Sequence, residues 1–239
     1  YNFSHILPSD VPQPIQDGDL KFVFEGRLFP PRAGNGIQEV MKYAGKGVEE
    51  KASHIVKGID GSYVSAFLDH HRVVLGRDPV GLTPLYYGED DEAYAFASER
   101  KALWAIGMQN VKSFPPGNLA IVEDEGIIFQ PIRTITKPDT MSILMRDAAE
   151  RLQHLLKESV CERVLDVDEA ALAFSGGLDS SVVAFFAKEC GADVHLIHVG
   201  IEETPEAQHA ERMAEILGVP IEMKTYTPED VEEVLSKVL

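Results

Sequence analysis

The stretch Ala170 to Lys188, AALAFSGGLDSSVVAFFAK, decides the fold of this chain. Its apolar beginning, Ala170 to Phe174, predicts a buried strand, and the segment from about Asp179 to Lys188 predicts an amphipathic helix. Between them, the glycines of Ser175-Gly176-Gly177 let the backbone turn sharply and approach a ligand closely. The start of the helix offers unpaired N–H groups and the positive end of its dipole. The stretch therefore predicts a phosphate-binding turn between a strand and a helix.

Three hydroxyl groups and one carboxylate surround this turn. Ser175, Ser180 and Ser181 supply hydrogen-bond donors, whereas Asp179 is an acid that phosphate repels unless a cation lies between them. Asp179 is therefore a candidate Mg²⁺ ligand, directly or through water. The motif lacks the lysine of G-x-x-x-x-G-K-[ST], so it differs from the usual nucleoside-triphosphatase loop. An ordinary strand-to-helix turn made of small residues is the alternative.

The motif SGGLDSS resembles the pyrophosphate-binding loop of the ATP pyrophosphatases. This resemblance implies ATP and Mg²⁺ as ligands. It also implies cleavage of ATP to AMP and pyrophosphate, with a carboxylate or carbonyl group activated as an adenylate.

Composition narrows the function classes. The chain has 239 residues, 44% of them hydrophobic, and a formal net charge of -17, which argues against a broad nucleic-acid-binding surface. No stretch has the length of a membrane span, and no signal peptide is evident. The two cysteines, Cys161 and Cys190, lack C-x-x-C spacing. They are expected to be unpaired, buried and apolar in character, which favours a reducing, cytoplasmic location.

Residues 1–130 are predicted to be mostly antiparallel β structure with two or three helices, after an irregular segment at 1–19. Arg77 and Asp78 are expected to form a buried ion pair that orders the loop at Gly81. The predicted strands lie at 19–24, 61–69, 72–76, 84–88, 93–97, 119–122 and 126–129, and the predicted helices at 37–43, 48–56 and 99–108, the last with Ser98 as N-cap.

Residues 131–140 are polar and contain two prolines, which predicts a linker. After a helix at 141–163, strands at 170–174, 194–199 and 220–224 alternate with helices at 179–189, 205–217 and 228–238. Such alternation predicts a parallel, doubly wound α/β sheet with right-handed crossovers. Ligands of such sheets bind at the carboxyl ends of the strands, where SGGLDSS lies.

Three further segments resemble the asparagine synthetase family. GRDPVGLTPLYYG (Gly76 to Gly88) and FASERKAL (Phe96 to Leu103) resemble the family's glutaminase-type domain, and FPPGNLAIV (Phe114 to Val122) resembles the stretch that leads out of it. LAFSGGLDSS then resembles the start of the synthetase domain. The resemblance is loose over residues 19–60 and good from Gly61 to about Thr227.

This resemblance implies a two-domain fold of α/β plus α+β class. Residues 1–130 would form a partial glutaminase-like αββα sandwich, 131–140 a linker, and 141–239 an ATP pyrophosphatase domain of the adenine nucleotide alpha hydrolase type. It implies a ligase that adenylates a carboxylate, aspartate by analogy, and uses ammonia. A homodimer or a partner subunit is consistent with it, and no nucleic acid or membrane partner is expected.

The resemblance also implies the site residues. Asp179 and Ser180 would be catalytic, with Asp179 as the Mg²⁺ ligand, and Val199 and Gly200 would border the adenine and ribose. For Val199, a buried strand residue is the plainer interpretation, and it is compatible with this role. The ATP-binding set is Phe174, Ser175, Gly176, Gly177, Leu178, Asp179, Ser180, Ser181, Val199 and Gly200.

Two departures from the family bear on function. The family's glutaminase acts through an N-terminal cysteine, whereas this sequence begins with Tyr1 and has no cysteine before Cys161. Glu25 stands where the family has an oxyanion-hole donor, so glutamine hydrolysis is not expected. The family's synthetase domain also continues past the point matching Leu239, so a fragment, or a protein that needs a partner, is expected. The rival function is a catalytically inactive, ATP-binding regulatory or partner subunit.

Other polar residues favour plainer roles. His195 and His198 are three apart on a strand, so they are expected on opposite faces and not to bind one metal. Glu202, Glu203 and Glu206 either help to hold Mg²⁺ or simply complement a helix N-terminus.

Overall fold

The computed structural model describes residues 12–29, 47–70, 72–90, 93–123, 126–202 and 204–238, without the side chains of 236–238. The chain forms two compact units, residues 1–140 and 141–239. Both contain helices and strands, so the predicted mixed α/β class is confirmed. The predicted helix at 37–43, together with Tyr1, His71 and Glu203, lies outside the described residues.

The first unit is built on two antiparallel sheets. The larger has the order β1-β2-β3-β4-β8-β9 and the smaller the order β6-β5-β7. The strands are β1 (Ile15–Asp17), β2 (Leu20–Phe29), β3 (Asp60–Leu68), β4 (Val73–Arg77), β5 (Tyr86–Glu89), β6 (Tyr94–Ala97), β7 (Lys112–Ser113), β8 (Asn118–Glu123) and β9 (Gly126–Pro131), and the helices are α1 (Val48–Gly58) and α2 (Arg100–Ala105).

Alternation along β3 builds the core of this unit. Tyr63 and Phe67 lie on one face of the large sheet and pack in the same cluster as Ile55 of α1. Val64, between them, lies on the other face and packs in a second cluster with Phe114. Residues of the small sheet border that second cluster, and α2 contacts β5 and β6. The large sheet is thus covered by α1 on one face and by the small sheet on the other.

Several elements of the first unit differ from the prediction, among them the helix expected at 99–108, which ends at Ala105. Strand β1 lies within the segment expected to be irregular, and β2 continues to Phe29 because its pairing with β3 extends to Asp60. The N-cap of α2 is Glu99 rather than Ser98, and no side chain caps this helix.

The loop after β4 is organised by Asp78, whose side chain is completely buried. Its Oδ1 accepts hydrogen bonds from the backbone N–H groups of Val80, Gly81 and Leu82 at 3.1, 2.6 and 3.0 Å. Its Oδ2 accepts from the N–H groups of Thr83 at 3.1 Å and Tyr63 at 3.4 Å. One carboxylate therefore fixes the backbone of four successive loop residues and ties the loop to β3.

Arg77 complements this arrangement from the other side of the loop. Its guanidinium group donates to the carbonyl oxygens of Thr83, Gly81 and Phe114 at 2.7, 2.8 and 2.6 Å. The expected ion pair between Arg77 and Asp78 was therefore wrong. In this described loop, the cation bonds backbone acceptors and the anion bonds backbone donors.

The second unit contains one parallel sheet with the order β10-β11-β12. Val194 and Leu196 of β11 are buried against Ala184, Ala187, Ala210 and Ala214 of two helices. The elements are α3 (Met145–Val164), β10 (Glu169–Ala173), α4 (Leu178–Glu189), β11 (Asp193–Ile201), α5 (Pro205–Leu217), β12 (Ile221–Tyr226) and α6 (Pro228–Val238).

Helices α4 and α5 cover the same face of this sheet. The strands follow chain order, and successive right-handed crossovers in one direction place their helices on one side. On the other face, His195, Val199 and Tyr226 are exposed. The predicted doubly wound arrangement, with helices on both faces, is therefore not what the described residues form.

Cys161 of α3 and Cys190 at the end of α4 form a disulfide, so the expectation of unpaired cysteines was wrong. Helix α3 has no fully buried residue, and the disulfide fastens it to α4. The cysteines therefore give no support for a reducing compartment. None of the helices in the described ranges has both the length and the apolar character needed to cross a membrane.

The pKa of Asp230 reports on the hydrogen bonds at the start of α6. The Asp230 carboxylate accepts from the N–H and the hydroxyl of Thr227, both at 2.9 Å, and these bonds lower its pKa from the ordinary value of 3.8. A depressed pKa contributes stability that is complete above 3.8 and is lost as the pH falls through the folded value. In a carboxyl titration by NMR, we expect Asp230 to titrate below 3.8, and nearer to it in Thr227→Ala.

The Thr204→Ala variant is the control for this titration, because Thr204 caps a different helix, α5, by accepting from Ala207 N–H. It should leave the pKa of Asp230 unchanged. An Asp230 pKa at or above the ordinary value in the wild type would contradict the capping geometry.

Candidate functional site

The phosphate-binding turn predicted from the sequence follows β10. Phe174 is buried, and its N–H donates to the Ile197 carbonyl at 2.8 Å, which extends the pairing of β10 with β11 by one residue. Ser175 and Gly176 then form the turn. Gly177 is the N-cap of α4, which begins at Leu178. The turn therefore lies at the carboxyl edge of the sheet, as expected.

Two serine hydroxyls meet in this turn. Ser175 Oγ and Ser180 Oγ lie 3.1 Å apart, across the first turn of α4. Ser175 Oγ also accepts from Gly177 N–H at 3.2 Å, and Ser180 Oγ donates to the Gly177 carbonyl at 3.2 Å. Ser175 is exposed and Ser180 half-buried, so both hydroxyls lie at the surface of the turn.

Ser181 behaves differently from these two serines. It is buried, and its Oγ donates to the Gly176 carbonyl at 3.3 Å. Its hydroxyl therefore holds the turn from inside. Of the three serines predicted to contact phosphate, Ser175 and Ser180 have hydroxyls at the surface of the turn, and Ser181 stabilises the turn from inside.

The N-terminus of α4 remains open toward the same surface. No side chain caps this helix, because its N-cap residue is Gly177. The first N–H groups of an α-helix have no intrahelical acceptor and carry the positive end of the dipole. Leu178 and Asp179, in this first turn, are both exposed. The turn thus combines two hydroxyls with open N–H groups, which is a suitable environment for an anion.

Gly176 is required by the packing of helix α5. Its φ is +75°, and a Cβ atom at this position would lie 2.7 Å from the Cα of Ala210 and 2.9 Å from its backbone nitrogen. Because the obstructing atoms belong to the backbone, they cannot rotate away. Glycine therefore lets α5 approach the turn closely.

The carboxyl end of β11 lies beside the turn. Val199 is 66% exposed, so the interpretation as a buried strand residue was wrong. Gly200 follows and pairs with Thr225 of β12. Both residues predicted to border a nucleotide are at the strand end next to Phe174, on the edge where the turn lies.

His195 and His198 lie on opposite faces of β11, as predicted, with His195 exposed and His198 buried. What the sequence did not reveal is a hydrogen bond between His198 Nδ1 and the Phe174 carbonyl, with 2.9 Å between the two atoms. Strand alternation places His198 on the same face as Val194 and Leu196, which could have signalled its burial.

The acidic residues form no ready-made metal centre. The part of the chain that the structure describes contains no group of three His, Cys, Asp or Glu side chains placed to hold an ion. Asp179, Glu202 and Glu206 are exposed. Mg²⁺ in nucleotide sites takes one or two carboxylates plus substrate phosphates, and a single exposed Asp179 fits that kind of ligation.

One sequence feature that argued against glutamine hydrolysis lies in the first unit. Glu25 is exposed on β2, where it pairs with Val64 of β3. Both cysteines of the sequence are joined in the disulfide of the second unit.

A shallow depression lined by Glu211, Val219 and Ile221 lies at the opposite edge of the parallel sheet and includes none of the predicted site residues.

Two family models match the chain. Residues 151–239 match the model described as asparagine synthase, and residues 36–105 match that of a glutamine amidotransferase domain. The first includes the whole phosphate-binding turn. The second includes β3 and β4 of the first unit. The resemblance predicted from the motifs is confirmed by these matches.

Curated proteins similar to this chain are named asparagine synthetases. The putative glutamine-hydrolysing asparagine synthetase 1 of Methanocaldococcus jannaschii is 33% identical over 198 residues, which cover 75% of this chain and 36% of the relative. Asparagine synthetase B of Escherichia coli K12 is 27% identical over 187 residues, which cover 71% of this chain and 33% of the relative. The chain spans about a third of the length of these relatives.

Among solved structures, an allosteric regulatory enzyme of purine biosynthesis matches with a TM-score of 0.46 and 14% identity. The match covers 89% of this chain and 62% of that chain.

Proposed function

Since this chain is related to the asparagine synthetase family in both of its units, we propose that it takes part in an ATP-dependent, amide-forming ligase reaction. The second unit is the ATP pyrophosphatase part, which adenylates a carboxylate, and aspartate is the substrate by analogy. The first unit is a glutaminase-type αββα sandwich without glutaminase activity, and ammonia is the nitrogen donor.

The observation that carries this proposal is the paired hydroxyls at an open helix N-terminus. Ser175 Oγ and Ser180 Oγ lie 3.1 Å apart, beside the uncapped start of α4. A pyrophosphate group presents several anionic oxygens, and hydroxyl and backbone N–H donors are the groups that bind them. A turn that had only to connect a strand with a helix would not need an uncapped N-terminus flanked by two surface hydroxyls.

The residues of this turn would act on the departing pyrophosphate. When the substrate carboxylate attacks the α-phosphate, the bond to the β,γ-pyrophosphate breaks and negative charge develops on the leaving group. Ser175, Ser180 and the N–H groups of α4 would stabilise that charge. Ammonia then attacks the acyl adenylate, forms the amide and releases AMP. Bound Mg²⁺, with Asp179 as its protein ligand, would neutralise phosphate charge.

Ammonia is proposed as the nitrogen donor because the chain offers poor chemistry for glutamine hydrolysis. That reaction needs a nucleophile and an oxyanion hole. An exposed carboxylate, Glu25, stands where the resemblance places an oxyanion-hole donor. A carboxylate repels an oxyanion instead of stabilising it.

Pyrophosphate release from Mg-ATP tests the proposal. Purified protein would be supplied with ammonia and a panel of carboxylates led by aspartate. We expect carboxylate-dependent release that falls by about 100-fold or more in Asp179→Ala and in Ser180→Ala, since removing one charge-stabilising group typically costs that much. Asp193→Ala is the matched control, because this exposed acid begins β11 at the opposite edge of the sheet.

The outcomes separate the two candidate functions. Release that depends on the carboxylate and disappears in Asp179→Ala supports the ligase and identifies its substrate. ATP binding without release would replace it by a nucleotide-binding regulatory or partner subunit. A chain that binds no ATP would overturn both.

A further inference from the structure

His198 is a buried polar residue in the core of the second unit. It is 5% exposed, on the face of β11 that α4 and α5 cover, in line with Val194 and Leu196. Apolar side chains fill the neighbouring positions on this face. A histidine here therefore requires a physical reason, because burying an imidazole costs free energy unless its polar atoms are bonded.

Only one of the two ring nitrogens of His198 is satisfied. Nδ1 lies 2.9 Å from the Phe174 carbonyl, and since a carbonyl can only accept, Nδ1 carries the hydrogen. The other ring nitrogen, Nε2, is buried without a hydrogen-bond partner in the described structure. A ring with an unsatisfied buried nitrogen is a poor choice for stability alone.

The hydrogen bond joins two elements that the proposed function needs together. Phe174 is the last residue before the phosphate-binding turn, and His198 directly precedes Val199 and Gly200 at the end of β11. Gly200 makes room for the ring, because a Cβ atom there would lie 2.7 Å from His198 Nε2. The side chain thus links the end of β10 to the end of β11 at the ligand edge.

We infer that His198 is a positioning residue for the nucleotide: its Nδ1–H holds the Phe174 carbonyl and fixes the phosphate-binding turn relative to the strand end at Val199 and Gly200. This inference rests on the proposed function. His198 itself touches no ligand, since its ring is buried, and it acts through the backbone of Phe174. The buried Nε2 without a partner lowers the stability of the fold, and the hydrogen bond of Nδ1 to the turn is the reason for a histidine at this position.

The test compares ATP affinity with stability in variants of His198. His198→Phe keeps an aromatic ring of similar size but has no donor, so ATP affinity should fall by about tenfold, the usual effect of one lost hydrogen bond to a fixed group. Its unfolding temperature should change little, because the substitution removes the unsatisfied Nε2 but also takes the Nδ1–H donor from the Phe174 carbonyl. His198→Asn places an amide N–H near the position of Nδ1 and should restore most of the affinity. ATP affinity would be measured by calorimetry, and stability by thermal unfolding.

The outcomes also distinguish this inference from the proposed function. If the wild type binds ATP and the phenylalanine variant binds equally tightly, the inference is overturned while the proposed function stands. If the wild type binds no ATP, both fail. Parallel losses of stability and affinity in His198→Phe, with no recovery in His198→Asn, would show an ordinary core residue and overturn the inference.

If His198→Phe fails to fold, His198→Gln replaces it, because the amide of glutamine lies nearer to the position of Nε2. Weaker ATP binding in His198→Gln than in His198→Asn supports the inference, and equal binding overturns it.

Discussion

Replacing Asp78 with alanine is expected to lower the free energy of unfolding of the first unit by about 4 kcal/mol or more, which is a large part of the stability of a small domain. The reason is the number of donors that one side chain serves. Five backbone N–H groups bond this fully buried carboxylate. Alanine would remove this shared acceptor, although Gly81 N–H keeps a second one, the Asp78 carbonyl at 3.1 Å.

The structure of the loop makes this loss difficult to avoid. Arg77 already uses its donors on carbonyl groups of the same loop and of Phe114, so it does not replace the lost acceptor. Asp78→Asn should fall between wild type and alanine, since its amide group accepts at one end and places donors against donors at the other.

Trp104 makes this prediction simple to test. It is the single tryptophan of the sequence and lies in α2 of the first unit, so its fluorescence in urea follows the unfolding of that unit. Asp60→Ala is the control, because the exposed Asp60–Arg133 ion pair should contribute about 1 kcal/mol or less. An Asp78→Ala midpoint equal to that of Asp60→Ala would show that the carboxylate does not organise the loop.

In the second unit, Gly176→Ala is expected to cost about 3 kcal/mol of stability and to weaken ATP binding by tenfold or more. Two effects combine at this position. The φ of +75° is unfavourable for any residue with a Cβ atom, and that atom would collide with the backbone of Ala210. Relief requires α5 or the turn itself to move, and either movement separates the donors that a phosphate would need.

Gly191→Ala separates these two effects. Gly191 follows α4 with a φ of +92°, but a Cβ atom there would meet nothing within 4 Å. Its substitution should cost only the backbone term, about 1 kcal/mol, with ATP affinity unchanged. Native-state hydrogen exchange of the β11 amides measures stability in both variants, and calorimetry measures affinity. Equal effects of the two substitutions would show that contact with α5 does not matter.

Secondary structure and side-chain direction were predicted most accurately where the hydrophobic pattern and a motif lie in the same short stretch. Strand, turn and helix around SGGLDSS follow from an apolar run, two glycines and an amphipathic segment, and the structure places them within one or two residues of the prediction. The direction of His195 and His198 followed from strand alternation alone. In both places, the signal lies in neighbouring residues of one short stretch of sequence.

Contacts between distant residues were not predictable in the same way. The Cys161–Cys190 disulfide depends on how α3 packs against α4, and the sequence shows only two cysteines 29 residues apart. The roles of Arg77 and Asp78 were misjudged because opposite charges in neighbouring positions suggest an ion pair, whereas the folded loop offers backbone partners to each. Val199 was open to interpretation as a buried residue because no pattern shows that one sheet face is left uncovered by α4 and α5.

The disulfide also has a topological consequence. Its two cysteines close a covalent ring that contains β10, the whole of the SGGLDSS turn and α4. A protease that cuts the chain once inside this ring leaves both pieces attached to each other, so the molecule keeps its mass in a non-reducing gel and separates only after reduction. Cleavage within the SGGLDSS turn would therefore go undetected in any assay that does not reduce the disulfide.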